Sequence, residues 1–245
     1  MSLYSDSKHP VREAIATAHQ QTLASFASPG QWFSAAERAA IIHEARGARI
    51  QAGVQEALAN SSIDQPANTT SLPDSVKNLA RQVAVDTKDL TADFYEDSLD
   101  AGLTDCEYVE TVGVVARSLS VDIFCRGIGV DTRALPPLSA GAPSRIRPTT
   151  AVHEKAWADT VPGGSAGGED AIYIYGTDQP EAAPFIYRSL SLVPDEAKGL
   201  IALGAAQYLE IENFMDLDFS YDPEITRAEV EVVAGRVSAI NQCFY

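Results

Sequence analysis

A Ser/Thr-x-x-Glu spacing recurs at three places in this chain, Ser34 to Glu37, Thr104 to Glu107 and Thr226 to Glu229. In that spacing the hydroxyl and the carboxylate cap each other's backbone N–H groups at a helix start. Behind each box the apolar residues return every three to five positions, which suits a helix with one buried face. A chain that opens helices in its first, middle and last parts is expected to fold as an all-α protein.

The remaining punctuation fits that expectation. Pro10 precedes a helical pattern over 11–26, which Ser28-Pro29-Gly30 ends. Phe33 is placed as a staple residue before a second helix over about 35–58, weakened by Gly47 and Gly53, and a polar loop fills 60–73. From Asp74 one long helix is expected to about residue 101, with Val76, Leu79, Val83, Leu90, Phe94 and Leu99 as core positions. Gly102 closes it, and the helix opened by Thr104 runs on until Gly127 and Gly129. Residues 130–184 differ: prolines and a Gly-Gly-Ser-Ala-Gly-Gly run at 163–168 mark a long, partly mobile connector. Within it, Ala171-Ile172-Tyr173-Ile174-Tyr175 alternates like a short strand, an arm for a neighbouring subunit. Helices resume over 181–190 and, after Pro194, to about 212. The final helix begins near Arg227.

Asp and Glu outnumber Lys and Arg by 34 to 18, a formal charge of -16 that repels phosphate backbones and argues against nucleic-acid binding. No apolar run has the length of a membrane span and no secretory leader is visible, so a cytoplasmic address is expected. Cys106, Cys125 and Cys243 are too few and too widely spaced for a disulfide framework. Cys106 and Cys125 read as buried small residues. His9, His19, His43 and His153 lack the paired spacing of a helical metal site, so neither metal nor cofactor is expected. The glycine-rich run lacks the Lys-Ser/Thr of a phosphate loop, and the acidic residues 210–222 lack the spacing of a calcium loop.

The last stretch carries the most specific pattern. Val237-Ser238-Ala239-Ile240-Asn241-Gln242-Cys243 follows Glu231, which lies twelve residues before Cys243. This resembles the AhpD-like alkylhydroperoxidase family, related to carboxymuconolactone decarboxylases, whose signature is a glutamate, a Val-Ser-x-x-Asn run, C-x-x-C and a histidine. The match stops at the first cysteine, because the second would fall one position past Tyr245. A cut chain, a shortened gene and a stop at a selenocysteine codon all account for that. Ala101-Gly102-Leu103-Thr104-Asp105 and Ile128-Gly129-Val130 also resemble the family's second half-repeat, although only Asp122 stands where members often place asparagine and arginine.

The resemblance implies an AhpD-like helical bundle with 1–130 as an N-terminal repeat lacking the cysteine motif, 131–184 as connector, and 185–245 as a partial repeat carrying Glu231 and Cys243. Under the shift that aligns the first and last capping boxes, Ala39 and Gln51 stand where Glu231 and Cys243 do. A degenerate duplication and a chance likeness of amphipathic helices both explain this. The implied activity is a thiol-dependent peroxidase-type antioxidant, weak or inactive in the chain as written. Its substrate would be a hydroperoxide, its reductant a thiol, Glu231 a general base acting through a relay, and its assembly a homo-oligomer. On one straight helix Glu231 and Cys243 would lie about 18 Å apart. The relay therefore requires a break, expected at Asn241, with Cys243 in the first turn of a second helix. Two other readings remain: a non-catalytic helical assembly protein, and decarboxylase-type chemistry of the related family.

Overall fold

The computed structural model describes residues 3–54, 70–177, 183–210 and 213–243. Among them it contains nine α-helices and no strand, so the expected all-α class is observed. The helices are α1 (Glu13–Phe26), α2 (Ala35–Gln51), α3 (Asp74–Val85), α4 (Ala92–Asp100), α5 (Asp105–Gly127), α6 (Gly164–Tyr175), α7 (Phe185–Arg188), α8 (Pro194–Gln207) and α9 (Arg227–Ile240). All three capping boxes form, opening α2, α5 and α9. Each satisfies helix-end donors worth about 1 kcal/mol.

α5 is the axis of the bundle, buried on most sides and packed against α1, α2, α3 and α8. The main core runs from Phe26 through Ile41, Leu79 and Val114 to Leu192 and Ala197. A single apolar core thus takes residues from the N-terminal helices, the connector and the start of the C-terminal part. A smaller cluster around Tyr4, Leu23, Val121 and Cys125 closes the other end of α1.

Several sequence expectations are corrected. The long helix over 74–101 is two helices. α3 stops at Val85, the backbone turns extended at Asp86, and Gln82 Nε2 donates to the Asp86 carbonyl at 2.7 Å. Thr91 then accepts the Phe94 N–H to start α4. Short polar side chains there offer the backbone alternatives to a continuous helix. The second helix ends at Gln51, with 52–54 in a turn and Gly53 left-handed; of its expected continuation 55–58 lies outside the described residues, as does 60–69 of the loop.

The expected strand 171–175 is helical. Ala171 and Ile174 bury three residues apart, and α6 packs on α8. Inside a helix the segment satisfies its own N–H and C=O groups, which a strand without a partner could not do. The glycine run starts α6 and bends it at Gly168, φ +51. Helix 181–190 is reduced to α7, with 178–182 outside the described residues, and α8 ends at Gln207 rather than 212.

The connector is laid against the bundle. The Ser139 N–H donates to the Ala27 carbonyl at 2.8 Å and the Arg145 N–H to the Gln31 carbonyl at 2.7 Å. Farther on, Arg147 bridges Asp105 and Asp159, and the buried Val161 N–H donates to Ser191 Oγ. At the other end of α5, Arg46 forks onto Asp122 with two bonds of 2.7 Å, so the partner that the sequence of α5 lacks is supplied by α2.

Candidate functional site: a buried ion network and an outlying thiol

Four charged side chains meet in the core. The box at Ser34 sets the start of α2 and places Arg38 on its buried face; Pro194 opens α8 and places Glu196 in its first turn. Glu110 and Arg117 lie two turns apart on α5. Arg38 donates to Glu110 at 2.9 Å and to Glu196 at 2.7 Å. Arg117 donates to Glu196 at 2.8 Å and to Ser25 Oγ at 2.9 Å. The Trp32 N–H reaches the other Glu110 oxygen at 2.6 Å. Both glutamate side chains are 0% exposed.

The network is built against glycine and one ring. A Cβ at Gly30 would stand 2.0 Å from Arg38 and from Glu110, one at Gly199 2.3 Å from the Arg117 guanidinium, and one at Gly113 2.8 Å from Glu196. The Phe26 ring lies 4.9 Å from the Arg117 and 5.6 Å from the Arg38 guanidinium carbon. Arg38 Nε and Arg117 Nε are buried and have no hydrogen-bond partner among the described residues.

The two acids differ. Burial pushes the Glu110 carboxyl up to about 7; Arg38 pulls it down and Glu196 adds to the rise. Glu196 is buried as deeply, but Arg117 and Arg38 outweigh that cost and hold its carboxyl below the usual range. With two guanidiniums on Glu196 and one on Glu110, Glu110 is where the network takes up a proton. Above Arg38, Arg117 and Glu196 a cleft of about 450 Å³ opens between α1 and α8. Its walls include Ala18, Pro29, Ala202 and Leu203, with Thr22, Ser25 and Lys198 as polar lining.

The residues singled out in the sequence lie elsewhere. Glu231 is on α9, where its carboxylate accepts the Tyr208 hydroxyl at 2.7 Å and Arg227 Nε at 2.6 Å. These two bonds hold it below the usual carboxylate range. Arg227 also reaches the Asn213 carbonyl at 3.3 Å, tying the turn before α9 to its first residue.

Cys243 is at the opposite end of the same helix. Asn241 caps the C-terminus of α9 instead of starting another helix, and Gln242 turns left-handed at φ +52. The Cys243 N–H then closes back on the Ser238 carbonyl at 2.9 Å and the Gln242 N–H on Ala239 at 3.3 Å. This pair of bonds is a Schellman cap. Cys243 therefore stands at the negative end of the α9 dipole, the reverse of the expected placement. The helical stretch from Glu231 to Ile240, at about 1.5 Å per residue, alone separates them by roughly 13 Å along the axis, so the structure does not bring the two together. Residues 244 and 245 lie outside the described part.

Cys106 and Cys125 are core residues, 1% and 0% exposed. Burial pushes the Cys106 thiol up to about 12, with Asp105 adding to the rise, and raises that of Cys125. His19 is fully buried between Tyr4 and Gln207, and burial lowers it to about 4. His43 is exposed. Among the described residues no cluster of three or more His, Cys, Asp or Glu side chains is placed to hold a metal, and no helix is long and apolar enough to cross a membrane. Comparison with known family models, curated proteins and solved structures finds no match to this chain.

The ion network was not singled out from the sequence, although a signal for it existed. Arg38 stands among Ala35, Ile41, Ile42 and Ala45 on the apolar face of α2. Glu110 and Arg117 likewise interrupt the valine-rich face of α5. Charges on buried faces require partners of opposite sign.

Proposed function

We propose that the chain serves thiol-dependent, peroxidase-type chemistry with Cys243 as its redox residue. What supports this is the contrast among the three cysteines: Cys243 is exposed, whereas Cys106 and Cys125 are enclosed and their thiols raised by burial. Together with the Val-Ser-x-x-Asn-x-Cys run, that singles out one sulfur open to a hydroperoxide. The Cys243 sulfur takes the terminal oxygen of the hydroperoxide, leaving an alcohol and a sulfenic acid. One equivalent of a thiol reductant condenses with the sulfenic acid and releases water. A second restores the Cys243 thiol and leaves the reductant as its disulfide. Glu231, turned toward Tyr208 and Arg227 at the far end of α9, has no direct part in this cycle within one copy.

The reading is tested by following cumene hydroperoxide consumption with dithiothreitol as reductant. Consumption above the protein-free rate, with a dimedone adduct on Cys243, and loss of both in Cys243→Ser is the expected result. Equal rates for the wild type and Cys243→Ser would end it.

A different observation favours a second reading, a helical assembly protein. Val232, Val233, Val237 and Ile240 are 71%, 64%, 53% and 61% exposed along α9. An apolar row of that length left to water is a surface for helix packing. Sedimentation equilibrium of the wild type and Val233→Glu/Val237→Glu distinguishes it: an oligomer that dissociates in the variant supports assembly.

A further inference from the structure

We propose that the cleft between α1 and α8 is a binding site for a small organic monocarboxylate, with the carboxylate against the Arg117 and Arg38 floor and the apolar part of the molecule between the helices. This site is separate from the Cys243 chemistry and does not rest on it.

The first support is the inventory of donors. A guanidinium carries five N–H groups. Among the described residues Arg38 and Arg117 each place two of them, on Glu110, Glu196 and Ser25. Their Nε groups are enclosed and have no hydrogen-bond partner among the described residues, while both side chains, each 3% exposed, line the cleft. Acceptors in this floor are already engaged and donors are in excess, which is the imbalance an anion corrects.

The second is shape. The cleft's volume of about 450 Å³ falls within the range of small-molecule sites. Ala18, Pro29, Ala202 and Leu203 give it apolar walls, and Thr22, Ser25 and Lys198 give it polar groups near the floor and rim. Gly199 lets the α8 backbone lie directly over the Arg117 guanidinium, where any side chain would displace it. The floor is thereby fixed before a ligand arrives, and preorganisation favours binding.

The third is charge, which selects the ligand. Arg38 and Arg117 face Glu110 and Glu196, so the balance in the floor is close to neutral, within a chain of formal charge -16. A single negative charge is accommodated there; a phosphate dianion meets both acids and the field of the whole molecule.

Isothermal titration of the full chain with benzoate, hexanoate, benzamide and inorganic phosphate tests the proposal. Benzoate and hexanoate are expected to bind at least about ten-fold more tightly than benzamide or phosphate, the factor set by one charge-assisted hydrogen bond. Ala202→Trp fills the cleft from an exposed lining position on α8. It is expected to weaken benzoate binding by about ten-fold or more with the melting temperature unchanged. Arg117→Lys keeps the charge facing Glu196 and loses the fork, and is expected to weaken benzoate but not to create a preference for benzamide. Absence of benzoate binding to the wild type, equal affinity for benzoate and benzamide, phosphate binding as tight as benzoate, or unchanged binding in a folded Ala202→Trp would each overturn the proposal.

Discussion

Arg38 and Glu196, 158 positions apart in the chain, are joined by a 2.7 Å bond with both side chains almost wholly enclosed. That bond fastens α2 to α8, and through Arg117 to α5, so the early and late parts of the chain share one interior. Removing Glu196 leaves two guanidiniums in the core facing one acid that burial disfavours. Glu196→Gln is expected to lower the unfolding free energy by about 3–5 kcal/mol, the cost of breaking a buried pair. Urea denaturation of the variant and the wild type measures it.

The glycines around the network are expected to respond by position. Gly199→Ala drives a methyl group into the Arg117 guanidinium and Gly30→Ala into both Arg38 and Glu110. Each should cost about 1–3 kcal/mol, as overfilling a packed interior does. Gly47→Ala, within α2 and with open space at its Cβ, should instead be neutral or stabilise by up to about 1 kcal/mol. Thermal melts of the three variants in parallel decide this.

Glu110 gives the network a dependence on pH. It is faced by Arg38 from α2, Glu196 from α8 and the Trp32 N–H from the preceding turn. Its carboxyl ionises near 4.5 when unfolded and near 7 when folded, so the folded state binds the extra proton between those values. Stability from this group is therefore present at acid pH and is lost as pH rises from 4.5 through 7, by up to about 3 kcal/mol. Glu196 acts oppositely: its depressed carboxyl contributes above 4.5 and loses that contribution as pH falls further. The stability of the wild type relative to Glu110→Gln, measured by urea from pH 4.5 to 8, should fall across the window.

Thiol labelling of the native chain should modify Cys243 and spare the other two. Cys106 and Cys125 are in the core and react only on unfolding. Intact-mass analysis after brief iodoacetamide treatment, with and without urea, reads the outcome. Rapid native labelling of Cys106 or Cys125 would contradict their burial.

Helix starts were legible because a capping box is a local, two-residue agreement that survives in any fold. Ser34, Thr104 and Thr226 all open helices where the spacing places them. Helix interiors and ends were less legible. The interruption after Val85 depends on Gln82 turning onto a backbone carbonyl, and the helical state of 171–175 depends on α8 lying beside it. Neither is visible in a periodicity that short. The Glu231 and Cys243 spacing was legible as a pattern, but distance in space was not: the helix does end ahead of Asn241, yet a cap follows it in the described residues and not the second helix a fold-back needs. The ion network required pairing residues across α2, α5 and α8, which single-chain patterns do not rank.

The contacts of residues 139–146 carry a consequence of their own. The 27–31 turn supplies Pro29 and Gly30 to the mouth of the cleft, and its outer edge is fastened to Ser139 and Arg145 by backbone bonds. A protease cut within 140–144 would spare every helix, yet it would free one border of the opening. The stretch that reads as a mere spacer is thus a fixed rim, and nicking it should alter what enters the interior before it alters how the chain melts.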